Sequence, residues 1–276
     1  MQITRTEPTT GGENRTDREE MKPLFDGPSA KTEPEQYTDV SPSLAWWWRS
    51  NKKMRTWNVL VPSVKAVTEP FALMDSEAGA EAGSGAGGVA TYPFSDRYLP
   101  LSDKRDSEGD LIIDVNPGNF DERWAHFLAL YPDHFEHGLP RWGGTEIMSA
   151  IEAGDEHYMD EFPDPASRKG RTRARIVHTD GLLGDEPQFR AYLSMAAPVS
   201  APGTSTVTPL GRHGEWDEAW IIAIYGEEGG DSRDAYEQYA EIARTHPWVH
   251  PLYFASVMNS GEASEDIAYV AVPLAA

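Results

Sequence analysis

Residues 219–225 read Ala219-Trp220-Ile221-Ile222-Ala223-Ile224-Tyr225, a run without a single charged side chain. Its length suits a strand. A strand apolar on both faces belongs in the middle of a sheet covered by helices. The neighbouring text agrees. Asp231 to Arg244 carries Ala235, Tyr239 and Ile242 at helical spacing, and Leu252 to Met258 is another apolar run. Upstream, Arg173 to Thr179 reads as a strand that ends in Asp180-Gly181, and Gln188 to Met195 suits a helix. Residues 57–61, 89–94, 111–115 and 267–272 are further strand candidates, and residues 145–159 a further helix. In residues 119–131, Phe120, Trp124, Phe127, Leu128 and Tyr131 share one helical face, with Asn119 and Glu122 placed as a capping box. Strands alternating with helices predict an α/β fold, a doubly wound, mostly parallel central sheet with helices on both faces.

The remaining text divides the chain. Residues 1–43 are rich in Thr, Glu, Pro, Gly and Asp, show no period, and read as a disordered N-terminal arm. Residues 44–56 form a Trp-rich connector, in which Trp46, Trp47 and Trp48 either pack on the protein's own body or grip a partner. Residues 57–276 make the folded domain. The net charge of −21 argues against general binding to nucleic acid or to an anionic membrane. It favours encounter with a partner's basic surface. Without cysteine there are no disulfides, thiolate metal sites or cysteine nucleophiles. No apolar run reaches the ~20 residues of a membrane span, and the first residues lack a signal peptide's apolar core. The expectation is a cytoplasmic protein.

In open α/β sheets, functional loops gather at the carboxyl ends of the strands. Three such loops stand out: Pro62-Ser63-Val64-Lys65-Ala66, Gly143-Gly144-Thr145, and Thr179-Asp180-Gly181. Thr145 serves either as a ligand or as a helix cap, and Asp180 either as a ligand or as a turn residue. Trp142 is either a partner anchor or a core tryptophan under its loop. His126, His134 and His137 lack the spacing of a zinc site and read as surface histidines. Arg168, Lys169, Arg171, Arg173 and Arg175 form a basic patch, read as a solvated loop or as a dock for an acidic segment. No nucleophile elbow or paired acid and base is evident, so no catalytic residue is assigned.

Residues 90–96 (ATYPFSD), 141–151 (RWGGTEIMSAI) and 174–189 (ARIVHTDGLLGDEPQF) resemble, in order and spacing, segments of the von Willebrand factor A (vWA) family. The resemblance covers about residues 56–275 and implies a vWA/Rossmann-like fold. In that family an Asp-x-Ser-x-Ser motif after the first strand, a threonine and a later aspartate hold a divalent cation. The cation's open position accepts a carboxylate from a partner. Spacing back from Phe94-Ser95-Asp96 puts the first motif at Pro62, Val64 and Ala66, none of which offers a side-chain oxygen. The metal-ion-dependent adhesion site (MIDAS) is therefore expected to be degenerate. Thr145 and Asp180 remain as residual ligands, Asp75 is a substitute carboxylate, and Mg²⁺ binding is weak or absent. The resemblance then implies a non-enzymatic protein–protein interaction or assembly protein with little metal dependence. It would bind another protein through Ser63, Trp142, Gly143, Gly144, Thr145 and Asp180. A metal-dependent vWA adhesion module and a hydrolase on another doubly wound fold are the alternatives.

Overall fold

A six-stranded sheet forms the centre of the computed structural model, which describes residues 32–45, 57, 60–68, 88–105, 111–168, 171–195, 217–226, 231–246 and 248–255. The first strand is β1 (Thr32–Asp39), followed by helix α1 over residues 60–68. Then come β2 (Val89–Phe94), β3 (Asp114–Val115), α2 (Phe120–Leu130), β4 (Phe135–Glu136), β5 (Leu139–Pro140), α3 (Met148–Glu161) and α4 (Pro165–Arg168). The chain continues through β6 (Thr172–Thr179), α5 (Glu186–Met195), β7 (Asp217–Gly226), α6 (Asp231–Ala243) and β8 (Val249–Ala255). The sheet order is β3-β2-β1-β6-β7-β8, and β4 and β5 pair separately.

This corrects the expectation of a doubly wound, vWA/Rossmann-like sheet. The sheet is mixed: β2 and β3 pair antiparallel, with Val89 opposite Val115, while the other neighbours pair parallel. A parallel neighbour needs a long crossover, usually a helix. Between β2 and β3 no helix occurs among the described residues. The chain instead doubles back through bridges at Phe94–Tyr98 and Arg105–Leu111 and returns along the same edge.

Two further expectations are corrected at the amino end. The proposed arm contains β1, which lies between β2 and β6 in the sheet. Residues 1–31 and the connector tryptophans Trp46, Trp47 and Trp48 lie outside the described residues, as does the candidate strand 267–272. The proposed first strand, residues 57–61, is helical where described. Trp57, Leu60, Val64 and Val67 are all buried, and their spacing is that of one helical face. Pro62 lies within α1.

Both faces of the sheet are covered. On one side Leu60, Val64 and Val67 of α1 and Phe120, Trp124 and Phe127 of α2 pack on Ile176, Ile221 and Phe254. On the other, Ile151 of α3, Leu193 of α5 and Tyr239 of α6 pack on Tyr37, Val177, Trp220 and Ile222.

The basic patch is not a surface. Arg173 and Arg175 on β6 are fully buried, and Arg168 bonds the Phe162 carbonyl at 2.6 Å. Arg173 donates to Glu35 at 2.6 Å and to Asp155 at 2.8 Å, and lies 3.7 Å from Glu218. Arg175 reaches Asp155, Glu218 at 3.6 Å and the Tyr192 hydroxyl at 2.7 Å. Buried charges persist only when paired and hydrogen-bonded. This network lets Glu35 occupy the interior, where a polar-looking segment becomes the middle strand of the sheet. None of the described helices is long and apolar enough to cross a membrane.

Candidate metal centre

β1 ends in Asp39, and the chain continues Val40-Ser41-Pro42-Ser43. Pro42 opens a 3-10 turn, Pro42–Ala45, that folds the two serines back over the strand end. The Asp39 carboxylate accepts from the Ser41 backbone N–H at 2.8 Å and from the Thr179 hydroxyl at 2.9 Å. The Ser41 and Ser43 hydroxyls lie 2.8 Å apart, and Ser43 donates to Asp180 Oδ1 at 3.0 Å. Register brings this about: β1 and β6 pair in parallel with Thr38 opposite His178, so both strands end together.

The loop 143–146 is held beside them. Ser95, just past β2, donates its hydroxyl to the Gly144 carbonyl at 3.0 Å and accepts the Glu146 N–H at 2.6 Å. The loop after Asp180 closes on the same place, with the Gly184 N–H donating to the Thr145 carbonyl at 2.7 Å. Thr145 does not cap α3. Asp185 does, accepting from the backbone N–H of Ile147 at 3.0 Å and of Met148 at 2.7 Å. The half-buried Thr145 hydroxyl makes no hydrogen bond among the described residues and is left available.

Two glycines make these close approaches possible. A Cβ on Gly226 would lie 2.1 Å from the hydroxyl of Ser232, which donates to the Asp180 carbonyl. Gly143 has φ +109°, and a Cβ there would lie 1.9 Å from Ser95 Oγ. Gly143→Ala is therefore expected to lower stability by about 1–3 kcal/mol. Gly144→Ala, whose added Cβ meets nothing within 4 Å, should stay within about 0.5 kcal/mol. Urea unfolding of both variants checks this, and equal midpoints would refute the strain.

The electrostatics point one way. Burial raises the Asp39 carboxyl well above the usual carboxylate range, and the charge of Asp180 raises it further. Burial also raises Asp180, with Asp231 adding to the push. Two crowded carboxylates, with the Ser41 and Ser43 hydroxyls beside them and Thr145 in the adjoining loop, form an all-oxygen donor set. That is the chemistry a hard divalent cation requires. Among the described residues no three His, Asp or Glu side chains gather as a metal cluster, so the donors here are carboxylates together with hydroxyls. Of the clustered histidines, His126 pairs with Asp103 at 3.0 Å, and His134 bonds the carbonyl of Val40, next to Asp39, at 2.9 Å.

Of the residues proposed from sequence, Thr145 and Asp180 lie in loops joined by the Gly184–Thr145 hydrogen bond, with Gly143 and Gly144 in the Thr145 loop. Trp142 is 62% exposed and is no core residue. Ser63 lies apart, buried in α1 rather than in a strand-end loop. It hydrogen-bonds the Tyr225 phenol, which contacts His178 Nδ1 at 2.9 Å. Burial pushes the His178 imidazole down to about 3, so it is neutral. Asp75 lies outside the described residues. Asp39, Ser41 and Ser43 were missed, although Asp-Val-Ser-Pro-Ser spells the Asp-x-Ser-x-Ser pattern directly. The placement of that motif at Pro62, Val64 and Ala66 is corrected, because those residues belong to α1.

No family model matches the chain, and no curated protein does. Among solved structures it is similar to a point mutant of the PilB minor pilin from Streptococcus sanguinis, at 16% sequence identity and a TM-score of 0.41. The match covers 86% of this chain and 60% of that one, so this chain spans about three-fifths of its length. A likeness of this size carries no argument about what the chain does.

Proposed function

We propose that this protein is a metal-dependent protein-binding module of the kind its vWA resemblance implies, acting in the cytoplasm on another protein. The observation that supports it is the convergence of Asp39, Ser41, Ser43 and Asp180 at the joined ends of β1 and β6, with Thr145 in the loop alongside. The reading of a protein with little metal dependence rested on Pro62, Val64 and Ala66, and that premise is gone. Mg²⁺ fits the donor set. Asp39 and Asp180 would supply charge, and Ser41, Ser43 and Thr145 neutral oxygens. Such a cation, held by these residues, would supply the positive charge that attracts a carboxylate of a partner. The chain's own part is to hold those oxygens in place, through Thr179 on Asp39 and Ser232 on the Asp180 carbonyl.

The test is thermal melting of the full chain with and without Mg²⁺. A ligand at one hundred times its Kd stabilises by about 2.7 kcal/mol. The wild type should melt several degrees higher in Mg²⁺, and Asp39→Asn should lose that rise. No rise with Mg²⁺ or Mn²⁺, or an undiminished rise in Asp39→Asn, would overturn the proposal.

A further inference from the structure

Beside the metal centre lies a cleft of about 290 Å³, lined by Leu99, Leu130, Tyr131, Pro132, His134 and Trp142 among others. Its floor is apolar. Leu99 is buried, and the Tyr131 hydroxyl is already used on the Pro100 carbonyl at 3.0 Å. The charged residues of its lining, Asp96, Arg97 and Asp133, are mixed in sign and exposed, so no single-sign field holds an ionic occupant.

The cleft neighbours the metal centre through two of its lining residues. His134 bonds the carbonyl of Val40, the residue after Asp39, at 2.9 Å. Gly143, also in the lining, leads into Thr145. Exposure gives an independent sign. Four large hydrophobic residues are exposed among those described: Trp142, Met159, Leu182 and Met195. Trp142 and Leu182 belong to the two loops that carry Thr145 and Asp180, and the Gly184–Thr145 hydrogen bond clasps those loops together at 2.7 Å. Trp142, 62% exposed, stands in the cleft's wall, and aromatic residues are the usual anchors of contact surfaces.

We infer that the cleft and its exposed Trp142 wall form a specificity pocket for an aromatic or large aliphatic side chain that adjoins the acidic residue a partner protein presents to the cation. The inference rests on the metal-centre reading and names the chemistry of its partner. The volume holds one bulky side chain, the apolar floor selects against a charged one, and the His134–Val40 hydrogen bond sets the cleft beside the strand end that carries Asp39.

The experiment uses capped peptides Gly-Phe-Asp-Phe-Gly, Gly-Gly-Asp-Gly-Gly and Gly-Lys-Asp-Lys-Gly. Each is titrated by NMR into the isotope-labelled full chain in saturating Mg²⁺. The phenylalanine peptide should bind at least about tenfold more tightly than the glycine peptide, as burial of one aromatic side chain allows. Trp142→Ala should bring it down to the glycine peptide's level, with the Mg²⁺-dependent rise in melting temperature intact. Equal affinities for the two peptides, tighter binding of the lysine peptide, or no binding of the phenylalanine peptide would each overturn the pocket. The two failures are separable: a missing Mg²⁺ response removes the metal centre and the pocket with it, whereas an intact response with equal affinities removes the pocket alone.

Discussion

Arg173→Ala is expected to cost about 3–5 kcal/mol, because removing one partner of a buried ion network strands the others. Arg173 is fully buried and binds Glu35 twice, at 2.6 and 3.0 Å, as well as Asp155 and the Gly154 carbonyl. Without it, Glu35, Asp155 and Glu218 would face one buried guanidinium, Arg175, in place of two. The surface pair Arg233–Glu237 is the control, since both side chains reach solvent, 40% and 62% exposed. Arg233→Ala should change stability by less than about 1 kcal/mol. Urea unfolding of both variants decides it, and a loss for Arg173→Ala no larger than the control's would refute the network's role. The pH dependence follows from Asp155. Burial opposes its charge, but Arg175 and Arg173 outweigh that and hold its carboxyl below the usual range. A depressed pKa contributes stability that is present above the unfolded value and is lost as pH falls through the folded one. The wild type should therefore weaken below about pH 4, and the gap between it and Arg173→Ala should narrow there.

Trp124→Ala should cost about 3–5 kcal/mol as well, whereas Trp142→Ala should stay within about 1 kcal/mol of wild type. The two tryptophans are alike in size and opposite in surroundings. Trp124 is 6% exposed and packs on Phe120 at 5.6 Å, Phe127 at 5.3 Å and Trp57 at 6.1 Å, measured between ring centres. Its loss opens a cavity that the α1–α2 layer cannot fill. Among the described residues, Arg141 lies over the Trp142 ring, at 5.5 Å, and no aromatic ring stacks on it. Thermal melting of the pair is the measurement. If Trp142→Ala unfolds like Trp124→Ala, the exposed wall and the pocket built on it are both wrong.

The elements that were legible in the sequence are those whose burial is apolar. Residues 219–225 lie within β7, and the face of Phe120, Trp124 and Phe127 became α2. A run or a period of apolar side chains carries its own driving force, so local text predicts it. Asp180 was legible for a related reason, since a strand ending in Asp-Gly announces a turn. Residues 57–61 misled because a short apolar run suits a strand or a buried helix equally. The spacing of Trp57, Leu60, Val64 and Val67 would have decided for the helix.

What only the tertiary structure decided is β1, and with it the site. Thr32-Glu33-Pro34-Glu35-Gln36-Tyr37-Thr38-Asp39 has no apolar run and no alternation that marks a buried strand. Its interior position depends on partners far along the chain: Arg173 for Glu35, Thr91 for Gln36 at 2.9 Å, and Thr179 for Asp39. Hydrophobicity is a property of a residue and can be read one position at a time. Satisfaction of a buried charge is a property of a pair separated by more than a hundred residues, and it exists only once the sheet has brought the two together.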